Sequence, residues 1–282
     1  MTLKSVARKV LPAGARHFLY HSGAWNWKEN IRLARLYSRI SPKPPGSWID
    51  FEGLTVRIND AQNFFILCKD LFVHHVYRFE SKRPDPRILD CGGNIGMSVL
   101  YFKHLYPSAR ITTFEPDPAI FPYLKDNIAR NRLQYVGVVN AAVSGKEGTL
   151  AFFSDALYSS CLADLTQSPP PGWTRYEVPC VRLSPYLNEQ VDLLKMNIEG
   201  AECEVITECA GRLRQIREII IEYHHLPGLE RNLHRILTIL NDQGFEYLIN
   251  DLDPQTNPGS EPPFRLNKDS RYFLLIYARR LD

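Results

Sequence analysis

Residues 88–102, ILDCGGNIGMSVLYF, decide the fold class of this 282-residue chain. A short apolar strand ends at Asp90, a loop carries three glycines, and apolar residues then recur at helical spacing. Such a loop brings backbone N–H groups and a helix N-terminus close to a ligand, because glycine places no side chain between backbone and ligand. The stretch therefore predicts a strand, loop and helix that bind a nucleotide or a nucleoside.

The rest of the chain alternates between predicted strands and helices. A short β-like unit at 48–58 and a helix at 64–77 come first. Strands follow at 110–115, 135–140, 149–153, 191–198, 218–224, 245–250 and 272–277, and helices at 95–106, 117–130, 202–210 and 229–242. In the second of these helices we expect Asp117 as the N-cap and Pro118 as the first helical residue. The alternation predicts an α/β fold with a doubly wound, mostly parallel sheet.

The end of the chain departs from this alternation. Residues 251–270, between the last two predicted strands, are rich in Pro, Asn, Asp and Gly and leave no room for a helix. We therefore expect these two strands to pair antiparallel through a long loop.

The first 45 residues form a basic segment, with nine Lys and Arg residues against a single Glu. The sequence SPKPPG at 41–46 breaks any helix, which predicts a helical extension over 1–45 and one larger domain over 46–282. An apolar stripe that includes Trp27, Tyr37 and Ile40 favours docking of this extension on the body. Its charge leaves open a membrane surface or another anionic partner.

The sequence also indicates where in the cell the protein is expected. The longest apolar runs, around 219–221 and 273–276, fall well short of the ~20 residues that a membrane-spanning helix needs. The N-terminus lacks a continuous apolar stretch and the six cysteines show no CxxC spacing, so we expect neither a secretory signal nor a disulfide framework. A cytoplasmic protein is expected, and the basic segment leaves open a peripheral position at a membrane.

Glu115 ends the strand after the glycine loop, 23 residues beyond Gly92, where it can accept hydrogen bonds from both hydroxyls of a ribose. The loop reads GxNxG, with Gly92, Asn94 and Gly96, whereas a pyrophosphate-binding loop reads GxGxxG. A nucleoside without phosphates, such as S-adenosylmethionine, therefore fits this loop better than a dinucleotide.

Other predicted cofactor contacts come from two strand ends. Asp90 would orient the loop or the methionine ammonium, and Asn140 and Ala141 would border the adenine. Simpler roles stay open for the two acids, since Asp90 can cap the turn that follows it and Glu115 can end a strand in solvent.

Five stretches of the chain resemble the FkbM family of S-adenosylmethionine-dependent methyltransferases: LDCGGNIGMS (89–98), TFEPDPAIFPYLKDNIARN (113–131), VNAAVSGKEGTLAFF (139–153), Ser159–Ser160 and DLLKMNIEGAECEVI (192–206). The resemblance implies a class I, Rossmann-like methyltransferase fold with a seven-stranded sheet whose last strand is antiparallel. It also implies O-methylation of a hydroxyl on a sugar, glycan or polyketide-like natural product, with S-adenosylhomocysteine as the by-product. The chain departs from the family pattern at Asn197, where Asp is usual, and at Gly93, where Ala is commoner.

Methyl transfer to an alcohol is an in-line displacement, so the protein must position the acceptor and remove its proton. Because alternate residues of a strand share a face, Lys195, Asn197 and Glu199 would point one way from one strand, and Glu222 and His224 would share a face of the next. These strands are predicted neighbours, and ligands collect at their carboxyl ends. Glu199 and His224 would therefore flank the methyl group.

The functional interpretation makes His224 the general base and lets Glu199 orient the acceptor or act as the base. Lys195 would pair with a carboxylate or polarise the acceptor oxygen. The structural alternative is an ion pair of Lys195 with Glu222 or Glu199, with His224 merely beginning a loop.

Two further features of the predicted site stay open. A metal site could draw on carboxylate and histidine side chains across two strands: Glu199, Glu202, Glu222, His224 and His225. No local HxxxH spacing supports it, so no metal is assigned. Residues 154–173, which include Tyr158, Ser159 and Ser160, could form a lid.

Three other functions stay open at the level of sequence. A nicotinamide-dependent dehydrogenase would need the same Glu115 but also the third glycine of the GxGxxG spacing and a pyrophosphate cradle. A methyltransferase of RNA or another nucleophile is a second alternative, but the chain outside the basic segment is acidic overall and gives no strong nucleic-acid signal. The third is a non-catalytic cofactor-binding module that acts through the basic segment.

Overall fold

The computed structural model describes residues 27–155, 160–162, 171–225, 230–252 and 270–281. In chain order its helices and strands are α1 (Trp27–Ile40), β1 (Trp48–Phe51), β2 (Leu54–Arg57), α2 (Ala61–Cys68), β3 (Arg87–Cys91), α3 (Met97–Leu105), β4 (Arg110–Phe114), α4 (Phe121–Arg130), β5 (Val136–Val139), β6 (Ala142–Val143), β7 (Gly148–Ser154), β8 (Ser160–Leu162), β9 (Thr174–Val181), β10 (Val191–Met196), α5 (Glu202–Cys209), β11 (Ile216–His225), α6 (Leu233–Asp242), β12 (Phe245–Asp251) and β13 (Tyr272–Arg280). Short π- and 3₁₀-helical turns lie at Lys69–Val73, Ser184–Tyr186 and Ala210–Gln215.

Seven strands form the main sheet in the order β12-β13-β11-β10-β3-β4-β5. Strands β11, β10, β3, β4 and β5 run parallel, and β13 lies antiparallel between β11 and β12. The predicted α/β class, the seven strands, the antiparallel last strand and the adjacency of β10 and β11 are all confirmed. The loop predicted between β12 and β13 lies largely outside the described residues.

Helices cover both faces of this sheet. Successive side chains of a parallel strand point to opposite faces, so each strand contributes to the apolar core on both sides of the sheet. On β10, Leu193 packs in the same core cluster as Ile88, under α2, α3 and α4. Its neighbour Leu194 packs with Leu89 in the opposite cluster, under α5 and α6. Every residue of β10 is buried, as expected for a central strand of a parallel sheet.

A second sheet of four strands, in the order β6-β9-β7-β8, was not predicted from the sequence. The strand expected at 149–153 does form as β7, but it pairs antiparallel with β9 and lies outside the main sheet. Strand β9 was missed because its sequence, TRYEVPCV, mixes charges with a proline, a composition depleted in strands. Strand β9 forms because it pairs with β7, and no local sequence pattern shows that pairing.

Two predicted helices differ from the observed ones. The helix expected over 64–77 ends at Cys68 and continues only as a π-helical turn. Helix α4 begins at Phe121, later than predicted, because the Asp117 carboxylate accepts a hydrogen bond from the Ala119 N–H and closes a separate turn around Pro118.

Helix α1, which lies in the described part of the basic segment, packs on the body through apolar side chains. Leu36 and Ile40 are buried, and the Tyr37 ring lies 5.1 Å from that of Phe65. The domain boundary after residue 45 stays a prediction. Within the described ranges, no helix has the length and apolar character needed to cross a bilayer.

Candidate active site

A cleft opens at the carboxyl ends of β3, β4 and β10, where the glycine loop between β3 and α3 meets the residues after the other two strands. The first turns of α2 and the segment that follows it form a third wall. Residues from all these elements line the cleft: Asn63, Leu67, Leu71, Tyr77, Gly92, Gly93, Asn94, Ser98, Glu115, Ala141, Phe152, Lys195, Asn197 and Glu199. This position is the one at which ligands bind in open α/β sheets.

The glycine loop passes very close to its neighbours. A side-chain carbon at Gly92, which has a φ of +85°, would lie 1.9 Å from the Asn197 carbonyl oxygen. One at Gly93 would lie 2.3 Å from the Thr113 hydroxyl. Gly96, with a φ of +91°, leads into α3. Left-handed backbone and close packing therefore favour glycine at 92 and 96, while at 93 the Thr113 hydroxyl leaves little room for a side-chain carbon.

The backbone N–H groups of loop residues 92–96 already have acceptors. Those of Gly92 and Gly93 donate to the Phe114 carbonyl, and that of Asn94 donates to a Glu115 carboxylate oxygen at 2.7 Å. The remaining two donate to acceptors within the loop itself. A pyrophosphate cradle needs donors aimed at the ligand, so this arrangement favours a ligand without phosphates.

Asp90 and Lys195 form a buried ion pair beneath the loop, with 3.1 Å between Oδ1 and Nζ. Asp90 Oδ2 accepts hydrogen bonds from the hydroxyls of Ser98 and Thr113, and Lys195 Nζ also donates to the Gly92 carbonyl at 2.6 Å. The structural alternative that paired Lys195 with Glu222 or Glu199 is therefore wrong about the partner. Asp90 is fully buried and holds the loop in place.

Glu115 lines the cleft, and each of its carboxylate oxygens accepts a backbone hydrogen bond, from Asn94 and from Asp117. Burial raises the pKa of Glu115 to about 7, against the opposing effect of these two bonds. Asn140 donates to the Glu115 carbonyl at 2.8 Å and so fixes the backbone at this strand end. Ala141 lines the cleft. The residues predicted to hold the nucleoside thus lie close together at the ends of β3, β4 and β5. Asn140 differs from the prediction in that its side chain binds the backbone of Glu115.

Glu199, Glu202, Glu222 and His224 form an acidic cluster on the other side of the cleft. His224 Nε2 lies 3.8 Å from Glu199 Oε2, and Nδ1 lies 3.5 Å from Glu202 Oε1. Burial alone would lower the pKa of His224, but the surrounding carboxylates raise it to about 10. A histidine that is already protonated at neutral pH is poorly suited to the predicted role of general base.

Glu199 is the member of this cluster that lines the cleft. Its side chain is 28% exposed, whereas that of His224 is 8% exposed. Burial raises the pKa of Glu199, and His224 opposes that rise.

Tyr77 and Asn197 hold the neighbouring carboxylate of Glu222. The Tyr77 hydroxyl donates to one oxygen, and Asn197 Nδ2 donates to the other at 2.7 Å. Lys195 Nζ lies 5.4 Å from the centre of the Tyr77 ring, which links this network to the ion pair below the loop. Sequence reasoning missed Tyr77, because nothing in the pattern at 74–79 shows that this segment folds back over the cleft.

The metal site and the lid that the sequence left open receive little support from the structure. His225 packs its ring 4.8 Å from that of Tyr272, and burial lowers its pKa. Among the residues that the structure describes, no group of three or more His, Cys, Asp or Glu side chains is arranged to hold a metal ion. Of the predicted lid, Tyr158 and Ser159 lie outside the described residues.

Comparisons with known proteins bear on this geometry. The family profile described as the methyltransferase FkbM domain matches residues 90–247. Methyltransferase 1 of Beauveria bassiana (strain ARSEF 2860) is 31% identical over 233 residues, which cover 75% of this chain and 88% of that protein. The 2-O-methyltransferase NoeI of Sinorhizobium fredii (strain NBRC 101917 / NGR234) is 30% identical over 50% of this chain and 65% of its own length. The 31-O-demethyl-FK506 methyltransferase FkbM of Streptomyces tacrolimicus is 28% identical over 72% of this chain and 89% of its own length.

Proposed function

The chain belongs to the FkbM family of S-adenosylmethionine-dependent methyltransferases, and from this premise we propose that it methylates a hydroxyl of a small molecule, either a sugar or glycan or a polyketide-like natural product. The names of two relatives support oxygen as the methylated atom, since one is a 2-O-methyltransferase and the other a 31-O-demethyl-FK506 methyltransferase. In this chain, the observation that carries the proposal is Glu199, a carboxylate that lines the cleft in contact with buried His224.

The residues of the cleft fit S-adenosylmethionine. Glu115 stands at the end of β4, where it can accept hydrogen bonds from ribose hydroxyls, and Ala141 offers an apolar surface to the adenine. The loop over 92–96 has no spare backbone N–H for a phosphate. When bound, this cofactor supplies a methyl group on a positively charged sulfur, which an oxygen nucleophile can attack.

Glu199 takes the proton of the acceptor hydroxyl in this proposal. A carboxylate whose pKa is raised by burial accepts a proton more readily than an ordinary glutamate does. His224 lies behind Glu199, and its charge opposes the rise in the pKa of Glu199, which favours the ionised form of this carboxylate. The general-base role predicted for His224 thus passes to its neighbour, and His224 becomes a positioning residue.

Asn197 offers a hydrogen-bond acceptor beside the proposed base. Its Nδ2 is held by Glu222, while its Oδ1 is buried and has no partner among the described residues. Because the proton of the reacting hydroxyl goes to Glu199, this fixed amide oxygen is free to accept a hydrogen bond from a second hydroxyl of the acceptor molecule and so help to orient it. The uncharged Asn197 fits beside Glu222, where the usual Asp would add another buried carboxylate.

The acceptor class is tested by incubation with isotopically labelled S-adenosylmethionine and a panel of saccharides and polyketide alcohols. We expect a labelled product that gains the mass of one CH₂ and whose methyl resonance has the chemical shift of an O-methyl group. Methylation only of amine or RNA acceptors would contradict the proposal.

The proposed base is tested by the Glu199→Gln variant, which keeps the shape of the side chain but cannot accept the proton. We expect kcat to fall by about 10²- to 10⁴-fold, with little change in cofactor affinity. The matched control is Glu230→Gln, since Glu230 is an exposed carboxylate paired with Arg235. Equal activity of the two variants would remove Glu199 from the reaction.

A further inference from the structure

Asn63 carries an unused hydrogen-bond donor at the wall of the cleft. It is the third residue of α2, its residue exposure is 7%, and its side chain lines the cleft. Its Nδ2 is buried and has no partner among the described residues. Buried polar groups in folded proteins nearly always have a partner, so this donor points to a ligand.

The start of α2 is held against the glycine loop. Asn127 Nδ2 donates to the carbonyls of Arg57, at 3.0 Å, and of Ile95, at 2.7 Å. The Arg57 N–H in turn donates to Asn127 Oδ1 at 2.6 Å. Asn63 comes six residues after Arg57, so these bonds fix the chain that leads into α2 beside the loop.

Three other side chains with donors that line the cleft are already engaged. The Ser98 hydroxyl donates to Asp90, the Tyr77 hydroxyl donates to Glu222, and Lys195 binds Asp90 and the Gly92 carbonyl. The loop N–H groups are likewise used. An anionic group that enters the cleft therefore has Asn63 Nδ2 as a buried donor in need of an acceptor.

We propose that Asn63 binds the carboxylate of the methionine portion of S-adenosylmethionine. The inference rests on the proposed function for its cofactor, and it adds a contact that no motif of the sequence indicates. With the ribose at Glu115 and the adenine at Ala141, the amino-acid end of the cofactor must occupy another part of the cleft. Its carboxylate is the group that best matches a neutral amide donor, because hydrogen bonds to ionised acceptors are the strong ones.

The test compares two ligands that differ in the amino-acid portion. S-adenosylhomocysteine carries the carboxylate, whereas 5′-methylthioadenosine keeps the adenosine and the sulfur but lacks it. Affinities are measured by calorimetric titration of the whole chain and of the Asn63→Asp variant, which sets a carboxylate against the ligand's own. We expect the affinity for S-adenosylhomocysteine to fall by about 10- to 100-fold, and that for 5′-methylthioadenosine to stay within about twofold.

Gln62→Asp is the matched control, because Gln62 is the exposed neighbour on the same helix and the variant adds the same charge. It should change neither affinity. Asn63→Ala adds a variant without new charge and should show the same selective loss. If Asn63→Asp weakens both ligands equally, or neither, the carboxylate assignment is wrong. If the unaltered chain binds neither ligand, the failure lies in the cofactor assignment on which the proposed function rests.

Discussion

Two buried groups of charged side chains lie on either side of the cleft, and they differ in charge balance. The loop cluster comprises Asp90, Ser98, Thr113 and Lys195. The acidic cluster comprises Glu199, Glu202, Glu222 and His224. In the first, one carboxylate faces one ammonium. In the second, three carboxylates surround one imidazole.

This difference in charge balance suggests different roles: the loop cluster stabilises the structure, and the acidic cluster carries the chemistry. In the loop cluster, Asp90 and Lys195 neutralise each other and their remaining contacts hold the glycine loop. In the acidic cluster the excess of carboxylates raises the pKa of His224 to about 10, and burial raises that of Glu199. Strongly shifted groups next to a cleft are typical of catalytic sites, so the catalytic chemistry is expected there.

Loss of Lys195 should have the largest effect on the loop cluster. Lys195→Met removes the cation and leaves the fully buried Asp90 carboxylate unpaired. Breaking a buried pair in this way costs about 3–5 kcal/mol, which urea denaturation measures as a lower free energy of unfolding. The double variant Asp90→Asn with Lys195→Met should recover part of the loss, because no charge is then left unpaired.

An exposed ion pair provides the control for that experiment. Arg235→Met removes one partner of the pair with Glu230, whose side chains are 56% and 64% exposed. It should change the free energy of unfolding by less than about 1 kcal/mol. If Lys195→Met also costs less than about 1 kcal/mol, the loop cluster is not held together by its charge pair.

The pH dependence of stability should differ between Glu115, beside the loop cluster, and His224 in the acidic cluster. The pKa of Glu115 rises from 4.5 to about 7 on folding, and that of His224 rises from 6.5 to about 10. In both cases the folded state binds the proton more tightly, so the stabilisation is complete below the lower value and disappears as pH rises through the higher one.

Unfolding measured across pH tests this difference with Glu115→Gln and His224→Gln. The stability advantage of the unaltered chain over Glu115→Gln should shrink between pH 4.5 and about 7. Its advantage over His224→Gln should shrink between pH 6.5 and about 10. A His224→Gln difference that is flat across the second window would show that His224 is neutral in the folded protein.

The sequence names all four residues of the acidic cluster but not the charge state of His224, whereas around the glycine loop it indicates both residues and placement, and the reason is locality. Gly92, Asp90 and Glu115 lie on consecutive elements of one strand–helix–strand unit, whose spacing is readable in the chain. Lys195 was assigned to the right strand but to the wrong partner. Strand β10 has neighbours on both sides, and only the register with β3 sets Lys195 opposite Asp90.

The residues that sequence reasoning missed depend on contacts between distant segments. Tyr77 and Asn63 reach the cleft because the segment before the main sheet folds over it, and their donors have no local signature. The charge state of His224 depends on carboxylates from several elements at once. The second sheet forms through pairing of β7 with β9, strands that the lid-like stretch separates in the chain.

The smallest effect concerns how tightly the glycine loop is packed at Gly93, next to Thr113 of the loop cluster. The added methyl of Gly93→Ala would meet the Thr113 hydroxyl at 2.3 Å, and that hydroxyl is fixed by its bond to Asp90. The variant should therefore lose about 1–3 kcal/mol of stability.

In a Thr113→Ala background the space is free and the φ of residue 93 is not left-handed. The same change should there be neutral, or stabilising by up to about 1 kcal/mol because alanine restricts the unfolded chain. A full double-mutant cycle in urea measures the coupling. Purely additive effects would mean that the loop, unlike the ion pair beneath it, can shift to accept a methyl group without help from its neighbour.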